Sequence, residues 1–363
     1  MSRTFNELFI DCTKHGTKIQ KEQYHENGRF PIIDQGQSYI AGYVDTEEGI
    51  YNEVPAIIFG DHTRVIKYVD FPFFLGADGV KVLRNVCSDS QVKYLYYALR
   101  AAEVPDTGYN RHFKWLRELS FKHPTYNEQQ KIADILDKTS ELIAGRKKQL
   151  EKLDLLVKSR FVEMFGDPVT NPMGWEVCKL GDVAEAIDPH PSHRTPPVSE
   201  EGIPYIGIAE CNYQTLKIDF ERARRVGLDV LNEHLDRYSV DEGDFIIGKI
   251  GTIGRPFFIP PEQTYTLSAN TVLIKPKNSR ISPSYLLKLF QSDYIENQIT
   301  SERKETSQPA LGIQKVRNIL ILLPPLSLQT RFADFVRQAD KSKFTAQKQA
   351  EHASLLYNGL KGD

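Results

Sequence analysis

The chain repeats itself. Phe113-Lys-Trp-Leu116-Arg117-Glu-Leu119 has a counterpart two hundred residues later in Ile313-Gln-Lys-Val316-Arg317-Asn-Ile319. At the same spacing Pro124 matches Pro324, Gln129 matches Gln329, and Ala133-Asp134 matches Ala333-Asp334. Lys148-Gln149 matches Lys348-Gln349, and Leu155-Leu156 matches Leu355-Leu356. A spacing that stays constant from Phe113 to Leu156 leaves no room for insertions, as expected of a regular element rather than a loop. Whatever fold the chain adopts must therefore accommodate two copies of one module.

Upstream the likeness is looser. Pro31-Ile-Ile33 corresponds to Pro204-Tyr-Ile206, and Ile57-Ile58-Phe59-Gly60 to Phe245-Ile246-Ile247-Gly248. Ala77-Asp-Gly-Val80-Lys-Val82 corresponds to Ala269-Asn-Thr-Val272-Leu-Ile274, and Tyr94-Leu95 to Tyr285-Leu286. The spacing drifts between these pairs, so the loops differ in length. The expected order is variable domain (1–124), fixed segment (125–166), variable domain (167–324), fixed segment (325–363).

The fixed segments read as long helices. Asn127 and Ser327 are equivalent and suit N-caps, while Thr125 with Glu128 offers the first copy an alternative capping box. Leu136, Ile143, Leu150 and Val157 recur every seven residues, flanked by Ile132, Ile135, Leu142, Leu153 and Leu156. Gly166 and Pro168 then stop the helix. In the second copy Phe332, Ala339, Ala346 and Ala353 hold one heptad position, continued by Leu360. A small alanine seam can receive a bulky one, so the two helices are expected to pair in antiparallel sense; the alternative is that each packs on its own domain. A helix of this size is roughly 50 Å long. One DNA turn is about 34–36 Å, so two readers on such a spacer could meet sites about one turn apart.

The variable domains read as β-rich and mixed, giving an α+β chain. Ala56–Phe59, Val80–Leu83, Asp244–Gly248 and Thr271–Ile274 have strand character. Short helices are expected at Val92–Ala101 and Ser284–Gln291. Candidate DNA contacts sit in the loops between them: His62, Thr63 and Arg64; then Tyr109, Asn110, Arg111, His112 and Lys114. In the second copy they are Lys249, Thr252 and Arg255, then Arg303, Lys304 and Gln308. Cations, amides and aromatics in one loop supply phosphate and base-edge contacts. A solvated turn or a local backbone cap is the plain reading of any one of them.

Other chemistry finds less support. The net charge of −2 is not that of a uniformly basic nucleic-acid binder, so positive charge must be local or come from partners. Cys12, Cys87, Cys178 and Cys211 lie far apart, which suggests neither a zinc motif nor a disulfide framework. His190 and His193 are separated by Pro191 and Ser192, unlike a helical metal pair, so no metal is expected. Asp61-His62 could suggest acid–base catalysis, but the second copy lacks the pair. Gly248-Lys-Ile-Gly-Thr-Ile-Gly254 does not match the phosphate-binding P-loop pattern. No apolar run reaches membrane-span length and no leader-like start is seen, so a cytoplasmic chain without a membrane is expected.

The chain resembles the specificity subunits of type I restriction-modification systems over nearly its whole length. Ile57-Ile-Phe-Gly-Asp-His-Thr-Arg64, Gly76-Ala-Asp-Gly79, Gly108-Tyr-Asn-Arg-His112 and Glu128-Gln-Gln-Lys-Ile-Ala-Asp-Ile-Leu136 carry the likeness. Phe161-Val-Glu-Met-Phe-Gly-Asp167, Trp175 and Leu180-Gly-Asp182 resemble the family's junction into its second recognition domain. The resemblance implies a non-catalytic subunit in which each variable domain reads half of a split site in double-stranded DNA. It implies that the helices set the gap and dock two methyltransferase subunits, which use S-adenosylmethionine to methylate adenine. Restriction-translocase subunits using ATP and Mg would complete the enzyme. Gly248-Lys-Ile-Gly251 replaces Gly-Asp-His-Thr-Arg in the second domain, a departure consistent with two different half-sites. A scaffold whose helices recruit partners and whose β domains bind protein or glycan is the competing reading.

Overall fold

A computed structural model of the chain describes all residues except 77, 109, 191–194, 214, 251, 301–310 and 363, with backbone alone over 360–362. The residues form two compact units, Met1–Arg146 with Gln349–Asp363, and Lys147–Lys348.

The first unit runs β1 (Ser2–Thr4), α1 (Phe5–Leu8), β2 (Phe9–Asp11), β3 (Phe30–Ile33), β4 (Gly42–Val44), β5 (Ala56–Gly60), β6 (Ile66–Val69), β7 (Phe74–Leu75), β8 (Val80–Asn85), α2 (Val92–Ala101), α3 (Phe113–Leu116) and β9 (Ser120–Lys122). Four strands pair in the order β2-β8-β5-β6, three as β4-β3-β7, and two as β1-β9. All these pairings are antiparallel except β3 with β7. The apolar run Ala56-Ile-Ile-Phe-Gly60 is buried throughout, as a strand covered on both faces must be. Ile57 and Phe59 face Phe5, Phe9, Leu95 and Leu116. Ile58 faces the other way, into Ile33, Tyr51, Phe73 and Leu75. Strand alternation thus puts helices on one side and the three-stranded sheet on the other.

The second unit begins within α4 (Tyr126–Phe165) and continues through β10 (Glu176–Lys179), α5 (Leu180–Val183), β11 (Ala184–Ile187), β12 (Ile203–Ile206), β13 (Cys211–Asn212), β14 (Lys217–Ile218), β15 (Arg225–Val226), α6 (Leu228–Leu235), β16 (Phe245–Gly248), β17 (Pro256–Phe258), β18 (Thr266–Leu267), β19 (Thr271–Pro276), α7 (Pro283–Phe290), α8 (Asp293–Thr300), α9 (Ile313–Arg317) and β20 (Leu320–Leu323) into α10 (Leu326–Gly362). Its sheets repeat those of the first unit: β11-β19-β16-β17, β15-β12-β18 and β10-β20. β12 with β18 is again the parallel pair. The hairpin β13–β14 and the helices α6 and α8 are additions. The internal repeat read from sequence is therefore a repeat of topology.

Both fixed segments are single long helices, of 40 and 37 residues. Their starts correct one expectation. Asn127 and Ser327 lie inside the first turn, not at the cap. Instead Glu128 Oε2 accepts from Thr125 N at 2.9 Å and Thr125 Oγ1 at 2.7 Å. Pro325 precedes α10, and its carbonyl accepts from Leu328 N and Gln329 N. Proline fits here because its missing N–H is one the helix start leaves unpaired anyway. Gly166, at φ +77°, ends α4 and donates to Val162 O at 2.8 Å.

Within the second unit α4 and α10 run antiparallel. Phe161 packs on Phe332 with centroids 5.5 Å apart, and Asp154, earlier in α4, pairs with Lys343, later in α10, at 2.5 Å. Within the first unit Leu136 and half-buried Ile143 pack with Tyr357. Leu136, Val157, Phe332, Ala339, Ala346 and Ala353 are all less than a tenth exposed, while Ile143 and Leu150 are half-buried. Ile135, Leu142 and Leu156 are exposed rather than part of the seam. Val336, Lys343 and Tyr357 fill the interleaved position that the heptad reading overlooked.

Gln129 and Gln329 explain why the repeat keeps this residue. Both are fully buried. Gln129 Oε1 accepts from Gln91 N at 2.9 Å, just before α2, and its amide donates to Pro124 O. Gln329 Oε1 accepts from Ser282 N at 2.8 Å, just before α7, and donates to Pro324 O. Each glutamine satisfies an orphan amide at a helix start and joins a long helix to its β module.

Candidate nucleic-acid interface

In the first unit the site is built on the end of β5. The hairpin to β6 is closed by Arg64 N donating to Gly60 O and Gly60 N donating to Val65 O, each at 2.8 Å. Gly60 is required here: a Cβ would lie 2.2 Å from Thr63 Oγ1 and 2.9 Å from Gln35 Cβ. Arg64 takes φ +58°, uncommon for a residue with a side chain. It is held by its guanidinium, which donates to Val104 O at 3.2 Å and to Asp106 at 2.6 Å. Gly108's amide and then Arg64 keep the Asp106 carboxyl below its usual range.

Asp61, 4% exposed, is the hub. Its carbonyl accepts from His112 N at 2.8 Å and lies 3.0 Å from His112 Nδ1. Its carboxylate accepts from Phe113 N at 2.8 Å. The two loops singled out from sequence are thereby stitched together. Gln35 adds a third: its side chain accepts from His62 N and donates to Asp78 O, while its carbonyl accepts from Thr63 Oγ1.

These contacts sort the candidates. Thr63, Asn110, Arg111 and Lys114 are exposed. Lys114 also lies over the Trp115 ring. Arg64 is engaged with Asp106, so its charge is largely spent within the loop. His112 is corrected outright: at 1% exposure it is a framework residue, not a surface contact. Tyr109 lies outside the described residues. Lys18, Gln35 and Asp78 were missed. Lys18 pairs with Asp78 at 3.0 Å, and that pairing first, then Arg111 and His62, lowers the Asp78 carboxyl's pKa. Among the described residues Lys18 alone contacts the Asp78 carboxylate directly, with the Arg111 and His62 charges acting on it through space. The repeat pointed to Pro31–Ile33 but gave no reason to value the next two residues.

In the second unit Lys249 stands where Asp61 stands, one residue past the strand. Its carbonyl accepts from Leu311 N at 2.9 Å, just before α9, as Asp61's does just before α3. Its amide donates to Asn270 O at 2.8 Å. Lys249 is 5% exposed, and its ammonium lies 2.7 Å from Asp188. This corrects the expectation of a surface phosphate contact: the cation is buried and paired. Thr252 and Arg255 are exposed. They line a cleft of about 860 Å³ with Tyr213, Lys158 and Lys288, and Arg255 stacks on Tyr213 at 3.5 Å. Arg303, Lys304 and Gln308 lie outside the described residues.

His190 and His234 are both buried, with rings 5.2 Å apart. Burial first, then His190, lowers the His234 pKa to about 4, so its ring is neutral at pH 7. His193 lies outside the described residues.

Comparison with known proteins agrees with this architecture. The family profile described as "Type I restriction modification DNA specificity domain" matches residues 2–153 and 172–353. The "Type I restriction enzyme EcoR124I/EcoR124II specificity subunit" of Escherichia coli is 32% identical over 154 residues, 36% of this chain and 37% of that protein. The "Type I restriction enzyme MjaIX specificity subunit" of Methanocaldococcus jannaschii is 25% identical over 263 residues, 64% of this chain and 57% of that protein. The matches thus span between about a third and three-fifths of these curated relatives' length. The solved type I restriction-modification S subunit from M. genitalium superposes with a TM-score of 0.68 at 17% identity, covering 99% of this chain and 94% of that one, a likeness of fold.

Proposed function

The chain belongs to the type I restriction modification DNA specificity domain family, and we propose that it reads a bipartite DNA sequence, one half with each β-rich domain, without catalysing any reaction itself. The observation that carries the reading is the duplicated hub. In both modules one buried residue past the central strand holds, through its main-chain carbonyl, a residue just before the short helix: Asp61 holds His112 and Lys249 holds Leu311. A fixed frame with divergent side chains is what two different half-sites require.

Arg111, Lys114, Thr63 and Asn110 are the contacts we assign to the first half-site, with Lys18 beside them; Thr252 and Arg255 are assigned to the second. Cations track phosphates and amides read base edges. The long helices set the gap and dock methyltransferase subunits, for which exposed Ile135, Leu142, Leu155, Leu156 and Leu355 supply apolar surface. S-adenosylmethionine, ATP and Mg belong to those partners and to the restriction subunits. No helix among the described residues is long and apolar enough to cross a membrane, and we place the assembly in the cytoplasm. Family membership disfavours the scaffold reading.

The test is a map of methylated adenines with and without the gene, in a host supplying the partner subunits. A gapped motif should appear only with the gene. Replacing residues 1–124 with another member's domain should change one half of that motif. A change in both halves, or no gapped motif at all, overturns the reading.

A further inference from the structure

A group of metal-type donors lies in the first domain, outside the loop residues assigned to DNA. Cys12, His15 and Glu53 each offer one ligand atom, and the three atoms all lie within 4.8 Å of one another. His15 Nδ1 and Glu53 Oε1 are already 3.3 Å apart. Donors sharing one tetrahedral zinc-sized ion, with bonds of about 2.0–2.3 Å, sit roughly 3.3–3.8 Å from each other, so side-chain shifts of about an ångström would close the set.

The surroundings suit an ion. Cys12 is 1% exposed, on the inner side, while the side chains of His15 and Glu53 are about half exposed, which leaves a solvent-side position. Tyr51 is 1% exposed, and among the described residues its hydroxyl has no hydrogen-bond partner beyond the Cys12 thiol beside it. A thiolate there would give that buried hydroxyl an acceptor. Arg84 holds the other carboxylate oxygen of Glu53, so Oε1 stays directed at His15. Orienting partners of this kind are a regular part of metal sites.

A second group, Cys87 with Asp89 and His123, has the same donor types. There the Arg3 guanidinium lies 2.6 Å from Cys87 Sγ and 2.8 Å from Asp89. Arg3 thus touches two of that group's three donors, whereas Arg84 touches only one of the first group's, Glu53, and leaves its Oε1 facing His15.

We propose that Cys12, His15 and Glu53 bind a divalent transition-metal ion of the zinc class, with solvent as fourth ligand. The mixed sulfur, nitrogen and oxygen donors select a borderline-soft ion over magnesium or calcium. Binding forms the metal–sulfur bond and releases the Cys12 thiol proton to solvent. The ion ties the turn carrying Cys12 and His15 to the segment carrying Glu53, and through Arg84 to β8. The spacing of the cysteines hid the site because Glu53 comes from a distant loop.

Cobalt(II) is the probe, titrated into the full chain with a non-thiol reductant. One equivalent should produce a thiolate-to-cobalt charge-transfer band that zinc then displaces. Cys87→Ser should keep the band and Cys12→Ser should lose it. His15→Ala changes a half-exposed residue, so folding is spared; it should weaken binding at least tenfold and remove the zinc-dependent rise in Tm. Absence of the band in the parent chain, its survival in Cys12→Ser, or its loss in Cys87→Ser overturns the proposal.

Discussion

Asp61 and Lys249 occupy one position in two copies of one fold with opposite charges. In the first domain the side chain joins the frame, its carboxylate accepting the Phe113 amide. In the second the side chain turns to Asp188, brought in just after β11. What the copies share is main-chain bonding to the segment before the short helix. Main-chain hydrogen bonds are indifferent to side-chain identity, so a duplicated module can keep its loops in place while the residues around them diverge. The two hubs therefore should fail differently.

The largest effect is expected at Lys249. Lys249→Met leaves Asp188, whose side chain is 17% exposed, without its cation and with the His190 amide as a remaining donor. Breaking a buried pair on one side costs about 3–5 kcal/mol, measurable as a fall in denaturant midpoint. Adding Asp188→Leu should recover most of the loss, since an apolar pair of similar volume is often neutral. If the double variant is no better than the single one, the ion pair is not what holds that hub.

The next effect separates the domains by pH. α6 belongs to the second domain only, and it carries His234 against His190, Thr266 and Tyr238, with Glu233 and Arg237 the other charges acting on it. A histidine with a folded pKa near 4 and an unfolded one near 6.5 binds fewer protons when folded in that window. Its stabilisation is complete above about pH 6.5 and lost as pH falls to about 4, on the order of 3 kcal/mol. His234→Phe should flatten the dependence of Tm on pH between 7 and 4.5. An unchanged slope would place the acid sensitivity elsewhere.

Asp61→Ala should cost less, about 1–3 kcal/mol, because the Phe113 amide loses its acceptor but no charge is stranded. The same variant should alter base preference in one half of the methylated motif, while the other half keeps its sequence. Altered preference in both halves would show that the hub does not act on its own domain alone.

What the sequence revealed follows the same division. Regular elements were legible because their signal is periodic: α2 falls at Val92–Ala101 as expected, and α7 at Pro283–Phe290. The duplicated topology was legible because apolar strands recur in order. Side-chain roles in the loops were not. Asp61-His62 invited a catalytic reading, but Asp61 is a backbone clamp. His112 and Lys249 have the chemistry of DNA contacts and are buried. Gln35 and Lys18 matter through partners far along the chain, Asp78 among them, and no local pattern announces that. Lys343 in the helix seam escaped notice because its partner Asp154 lies on the other helix.

The smallest predicted change in stability carries the most direct test of DNA binding. Arg111 is exposed, and its removal should shift stability by no more than about 0.5 kcal/mol. If its guanidinium neutralises one phosphate, Arg111→Ala lowers the slope of log affinity against log salt by about one, with sequence preference intact. Lys249→Met, by contrast, should act through folding and leave that slope unchanged under conditions where the variant stays folded. A buried cation has no counterion for DNA to release. Equal slopes for parent and Arg111→Ala would remove Arg111 from the phosphate contacts, whereas a reduced slope for Lys249→Met would mean that the second hub opens when DNA arrives.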